Sequence, residues 1–453
     1  MGEMIKLALP VVLTYVGFMT MGLVDILMVG HLGATPIGAV GVGSSLYSWF
    51  LIFGIGLLTG MDYPISHAFG AGKTEEGHQT FVQGVLLGFF ISIPLTAILL
   101  AISKHLSLFA LNPDVTPETA GYLGVLAYSL LPALVFTAGH RYLQAMGAVR
   151  PPMIILLLAN ILNVVLNYAL IFGHFGAPRM LVPGSAVATL VSRIFMMAAI
   201  GFYIWDWDRK HEHHLEKFPF RYDAARMRAL IKLGTPSALQ MVFEVGVFAM
   251  ATVLAARLSS EELAAHQIVL NTASFTFMVP LGVSSATAVM VGQAVGRNEP
   301  HLARAIGWRG FALGTAFMAF SASMMLLFPH AILSIYSHDV HVIAIGQSLL
   351  WVAALFQLSD GAQCVGTGAL RGIGDTHTPM VVNLCGHWLV GLPLGVFLCF
   401  GLHWGVQGLW IGLSSGLTLV AGGLLYFWRK KSQLLAGPLQ LSGHDMETLD
   451  SSN

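Results

Sequence analysis

Charge is scarce in this chain. Asp, Glu, Lys and Arg together make up 10% of its 453 residues, while 56% are hydrophobic. Mean hydropathy is +0.74. Soluble domains carry about a quarter charged residues, so this balance excludes one and reads as an integral membrane protein. Formal net charge is zero and says nothing about partners. Cysteine is scarcer still. Cys364, Cys385 and Cys399 are odd in number and have no paired spacing, which excludes a disulfide framework or a zinc site and leaves small packing residues. Catalytic motifs are missing too. Gly70-Ala71-Gly72-Lys73-Thr74 ends like a phosphate loop but has His67 where the first glycine belongs. His211-Glu212-His213-His214-Leu215 has Leu215 where a zinc protease needs its second histidine, and reads as a solvated loop. No cleavable signal is expected, because the apolar stretch from Leu7 to Val29 is too long and no small-residue cleavage site follows it. Lys6 stands where N-myristoylation wants Ser or Thr.

What the chain has is long apolar runs. About 20 apolar residues cross a bilayer as a helix. Twelve such windows occur, near 7–30, 41–62, 80–102, 120–142, 153–173, 184–205, 233–256, 264–291, 308–328, 342–369, 379–401 and 407–428. They are continuous rather than alternating, which predicts helices and not a barrel. The 22 basic residues sort by side. With the N-terminus placed inside, the inner segments hold Lys6, Lys73, Arg141, Arg150, Arg297, Arg304, Arg309, Arg371, Arg429, Lys430 and Lys431, and the loop after span six adds seven more. The outer loops hold only Lys104, Arg179 and Arg257, and Arg193 falls within a span. This bias predicts a multi-pass protein of the cell inner membrane with both termini cytoplasmic.

The chain also repeats itself. Lys6-Leu7 and Pro10 match Lys232-Leu233 and Pro236, and His67-Ala68-Phe69-Gly70 matches Gln293-Ala294-Val295-Gly296, both 226 residues apart. Leu143 and Gly147 match Leu370 and Gly374 at 227. Three ordered matches at a nearly constant spacing indicate duplication. The predicted fold is an all-α integral membrane protein with twelve transmembrane helices in two six-helix lobes related as parallel repeats. The lobes are expected at 1–205 and 233–431, joined by a cytoplasmic loop at 206–232, with a disordered tail at 432–453. Parallel repeats of this kind bind substrate between the lobes and rock them to alternate access.

Three carboxylates sit where the bilayer should be: Asp25, Glu244 and Asp360. Each costs at least about 2.5–3.5 kcal/mol at a helix centre, so such acids usually face a cavity and couple transport to an ion or proton. A blander role is available for each: an interfacial helix end for Asp25, one hydrogen bond for Glu244, and a pairing with Arg193 for Asp360. In span five, Asn163 and Asn167 are four apart and share a face. They are interhelical glue, or amide partners for a carboxylate that holds a cation or proton. Glycines and prolines within the spans, Pro94, Pro132, Pro280 and Pro393 among them, permit kinks and close approach. The 21 Met and 27 Phe residues pack or face lipid, and some suit an adaptable cavity.

Pro236-Ser237-Ala238-Leu239-Gln240-Met241-Val242-Phe243-Glu244, Ala264-Ala265-His266-Gln267-Ile268-Val269-Leu270-Asn271 and Val291-Gly292-Gln293-Ala294-Val295-Gly296 resemble the MATE (multidrug and toxic compound extrusion) family in its NorM-like branch. The likeness runs from about residue 3 to 430. It implies a V-shaped central cavity and an antiporter that exchanges inward Na+ or H+ for outward organic cations, without cofactor and without catalysis. It implies a cation-coupling site at Asp25, Asn163, Asn167 and Thr189, and a second at Glu244 and Asp360, the pair associated with Na+ in this branch. Two departures leave the ion open: His67 replaces the usual Gln, and Phe356 offers no hydroxyl. The expected partners are small organic cations and the lipid bilayer, with no nucleic acid and a monomeric chain. The alternatives are a lipid-linked precursor flippase, which wants basic groups in its cavity, and a membrane-embedded enzyme, which wants a nucleophile or metal set.

Overall fold

The computed structural model describes residues 1–109, 113–211 and 221–436. The His-rich stretch 212–215, most of the expected inter-lobe loop and the tail with Asp445, Glu447 and Asp450 lie outside the described residues. Among the described residues there are helices and no strand. Twelve helices are long and apolar enough to cross a membrane. They are α1 (Gly2–Gly30), α2 (Ala34–Gly70), α3 (Thr74–Lys104), α4 (Thr116–Ala145), α5 (Arg150–Phe172), α6 (Val182–Lys210), α7 (Ala224–Ala255), α8 (Ser260–Gly296), α9 (Pro300–Leu327), α10 (Val340–Gly372), α11 (His377–Gly401) and α12 (Gly405–Leu435).

Each coincides with a window expected from hydropathy, and nearly all run past it. The extra turns are polar ones that apolar counting cannot register. The clearest case is α6, whose helix continues to His211, so the expected loop begins as helix, stabilised on its exposed side by Lys210 bonding Asp206 at 2.7 Å. The helix starts are marked by polar caps. Ser259 and Glu262 form a capping box at α8, and Asp339 accepts from His341 and Val342 at α10. Asp223 caps α7, accepting from the backbone of Ala225 and Arg226. The Arg226 backbone N–H, followed by burial, which opposes it, and the Ala225 N–H, leaves the Asp223 carboxyl below its usual range. A lowered folded value contributes stability above the ordinary carboxylate range that is lost as pH falls through it. Asp223→Ala is therefore expected to cost about 1 kcal/mol at neutral pH in detergent melts. The gap to the parent should narrow below about pH 4, and a gap independent of pH would contradict the cap.

Twelve crossings bring the start of α1 and the end of α12 to one side, called here the basic end. There the two halves of the chain exchange helix starts. Met4 and Ala8 of α1 lie in the buried cluster of the second half, beside Ala286, Val291 and Leu370. Met227, Leu230 and Ala238 of α7 lie in the cluster of the first half, beside Leu57, Met61 and Leu143. Met4 and Leu230 are equivalent repeat positions, 226 apart. The close contacts obey the same spacing. A Cβ on Gly56 would meet Ala238, and one on Gly282 would meet Val12. A Cβ on Gly70 would strike the Gln293 carbonyl, and one on Gly296 the His67 carbonyl. A Cβ on Gly292 would meet Ser66, its own counterpart, 2.8 Å away. A residue touching its own repeat image marks a pseudo-two-fold axis between α2 and α8.

Candidate functional site

The four residues expected to form a cation site in the first half meet at one point. Asp25 comes from α1, Asn163 and Asn167 from successive turns of α5, and Thr189 from α6. Thr189 Oγ1 donates to Asp25 Oδ2 at 2.6 Å. Asn167 Nδ2 donates to Asp25 Oδ1 at 2.8 Å, and Asn163 Nδ2 reaches the same oxygen at 3.4 Å. The amides also bond each other, Asn167 Nδ2 to Asn163 Oδ1 at 3.1 Å. All four side chains are buried, Asp25 being 3% exposed. Among the described residues it forms no ion pair. The Asn167 carbonyl oxygen has no partner. With the amides rotated, the same four side chains could turn four oxygens toward one point, the donor chemistry of a hard cation.

One turn beyond Thr189 lies Arg193. Its guanidinium bonds the Tyr47 hydroxyl and Ser129 Oγ, the latter at 2.7 Å, and stands 4.7 Å from the Tyr47 ring centroid. Ser129 also donates to Tyr47 at 3.0 Å. The suggested pairing of Arg193 with Asp360 is overturned, because Arg193 packs among helices of the first half.

In the second half, Glu244 of α7 is partly buried and accepts from Gln363 Nε2 of α10 at 2.6 Å. Gln363 Oε1 accepts in turn from Asn383 of α11 at 3.2 Å. Asp360 lies one turn before Gln363, is 5% exposed and has no hydrogen bond or ion pair among the described residues. It is within electrostatic reach of Glu244. Phe356, where a hydroxyl was lacking, packs between Phe248 and Trp410. No group of three His, Cys, Asp or Glu among the described residues could hold a metal ion, so a cation here would also need oxygens from amides such as Gln363.

Reasoning from carboxylates alone passed over Gln363, Asn383 and His387. His387 is fully buried, with both ring nitrogens unpartnered, in a π-helical stretch, Cys385–Gly391. Such stretches recur at functional sites. The signal was present, since all three are polar residues in apolar spans. Also passed over was Asp62, another buried acid, together with the burial of Arg141 and Arg371. These two were counted as basic residues of cytoplasmic segments, but they are 3% and 6% exposed and both reach Asp62.

A twelve-helix bundle built as two like halves, each with an intramembrane acid bonded by neutral amides, defines a membrane transport fold. The MatE family model matches residues 10–169 and again 236–397, two matches that begin 226 residues apart. The chain belongs to the MATE family. It is 35% identical over 447 residues to the probable multidrug resistance protein NorM of Mesorhizobium japonicum, covering 97% of this chain and 95% of that one. It is 36% identical over 419 residues to the protein of the same description from Xanthomonas campestris, covering 92% and 91%. Among solved structures, the eukaryotic MATE transporter AtDTX14 superposes with a TM-score of 0.85 at 21% identity, over 96% of this chain and 97% of that one. The outward-facing conformation of a multidrug resistance MATE family transporter also gives 0.85, at 16% identity, over 96% of each.

Proposed function

We propose that this chain is a cation-coupled antiporter that exports organic cations and drugs across the cell inner membrane. The observation that carries the reading is Asp25, a buried carboxylate held only by Thr189, Asn167 and Asn163 with no basic partner in contact. Three donors stabilise the anion and Arg193 acts on it only from a distance, so a travelling Na+ or H+ can supply the balancing charge in contact. Glu244 and Asp360 form a second such point, with Gln363 as the neighbouring amide. A cation that neutralises one of these acids weakens its hold on a bound organic cation, and the halves then re-orient. For coupling, the ion and the drug must bind the two orientations with different affinities. The basic end faces the cytoplasm in this reading, with both termini there, and the chain works as a monomer without a cofactor. A precursor flippase would want free basic groups, whereas Arg193, Arg141 and Arg371 are all engaged.

Right-side-out vesicles containing the protein, loaded with ethidium and given Na+ and pH gradients separately, test the reading. Efflux is expected under one gradient and not in its absence. Equal dye movement with neither gradient, or loss of it only on ATP depletion, would overturn it. Glu244→Gln should abolish gradient-driven efflux at unchanged membrane abundance.

A further inference from the structure

The basic end holds a charged cluster bonded through residues other than those of the cation sites. Asp62 of α2 is 3% exposed and lies where the two halves meet. Its Oδ2 accepts from Arg141 Nη1 of α4 at 3.4 Å and from Arg371 Nη1 of α10 at 3.3 Å. One guanidinium comes from its own half and the other from across the seam. Arg141 also bonds Ser285 of α8 at 3.2 Å and Tyr15 of α1 at 3.4 Å. Gln144 of α4 bonds Ser285 at 2.6 Å.

The repeat gives this cluster its logic. Gln144 and Arg371 are equivalent positions, 227 apart. Each reaches across the seam, Gln144 from α4 to α8 and Arg371 from α10 to α2. These are images of one another about the axis at Ser66 and Gly292. One arm is neutral and the other charged.

The cluster is poorly balanced for a permanent fastening. Two guanidiniums face one carboxylate, while Arg141 Nε and Gln144 Oε1 are buried without partners. A buried ion pair contributes little net stability when its atoms are incompletely satisfied, yet loss of one member leaves an uncompensated charge and is strongly destabilising. Separating the halves would hydrate all three groups at once. A latch that is cheap to open as a whole and costly to open in part suits a seam that parts and closes repeatedly. Its excess positive charge also repels any cation passing from the central sites toward the basic end.

We propose that Asp62 is a positioning residue of the transport cycle, the carboxylate whose bridge to Arg371 latches the two halves together at the basic end. The inference rests on the alternation of the halves proposed above, but not on which ion or drug is carried. Spin labels at Glu75 and His301, exposed positions 226 apart at the starts of α3 and α9, report the seam in a background with Cys364, Cys385 and Cys399 replaced by Ala. With no ligand added, the parent should show a dominant short distance. Asp62→Asn should raise the population of a longer distance on the order of tenfold or more, and Asp62→Glu should restore the short one. Arg371→Gln leaves the pair Asp62–Arg141 intact within one half and should shift the distance in the same direction, which keeps the test usable if Asp62→Asn does not fold. Parent-like distances in Arg371→Gln, or in a folded Asp62→Asn, would overturn the latch. That readout needs no transport, so failure of the antiport reading would appear separately, as absent efflux in a parent whose latch behaves as described.

Discussion

Asp25→Asn is expected to reduce gradient-driven export about a hundredfold or more, with the protein inserted at normal abundance. The substitution keeps the volume of the side chain, so packing against α5 and α6 is preserved. What changes is charge and donor balance. An amide at this position offers one acceptor oxygen where Thr189, Asn167 and Asn163 direct three donors, and its own NH2 group then faces donors. More importantly, it removes the negative charge on which the travelling cation depends in the proposed cycle. Thr189→Val, which removes only the 2.6 Å bond, should have a milder effect. Efflux from vesicles, normalised to protein abundance, is the measurement. Export by Asp25→Asn within about threefold of the parent would remove this acid from the coupling machinery.

Gly234→Leu is expected to prevent closure of the basic end. A Cβ here would strike the Leu57 carbonyl and approach its Cα to 3.1 Å, while one on Gly60 would come within 2.7 Å of the Gly234 nitrogen. These are backbone contacts between α2 and α7, so no rotamer change relieves them, and overpacking costs typically 1–3 kcal/mol or more. The label pair at Glu75 and His301 should then report mainly the longer distance, and export should fall at least about tenfold. Gly22→Ala serves as the control, since nothing lies within 4 Å of a Cβ at that position. A short distance retained in Gly234→Leu would show that the seam tolerates bulk and does not depend on helix approach.

All twelve spans could be read from the sequence, because hydrocarbon-crossing helices announce themselves by length and apolarity. That Asp25, Asn163, Asn167 and Thr189 belong together could be read largely through the family resemblance. From residues alone, Asp25 and the Asn163–Asn167 face were visible, but nothing in the spacing tied Thr189 to them. What remained hidden follows from the same habit of reading. Counting basic residues by segment assigned Arg141 and Arg371 to the aqueous side, because sequence does not show when a helix end is buried by its neighbour. Asp62 closed an expected span and so did not stand out as an acid within one. The glycine contacts escaped as well, since a glycine that permits helix approach reads no differently from one with open space beside it, as Gly234 and Gly22 illustrate.

The acids of the two halves are not repeat images. Asp25 corresponds to Ala251, and Glu244 to Phe18, each 226 apart. Equivalent positions lie at equal depth, so Asp25 stands seven residues, or about 10 Å, farther than Glu244 from the basic end. That is about a third of the hydrocarbon thickness. An ion entering from the opposite face therefore traverses more of the transmembrane voltage on its way to Glu244 than to Asp25. The difference is about 0.8 kcal/mol per unit charge at 100 mV. In the proposed antiport cycle, occupancy of the deeper acid then responds more steeply to membrane potential, giving the two halves unequal electrical sensitivity in one shared fold.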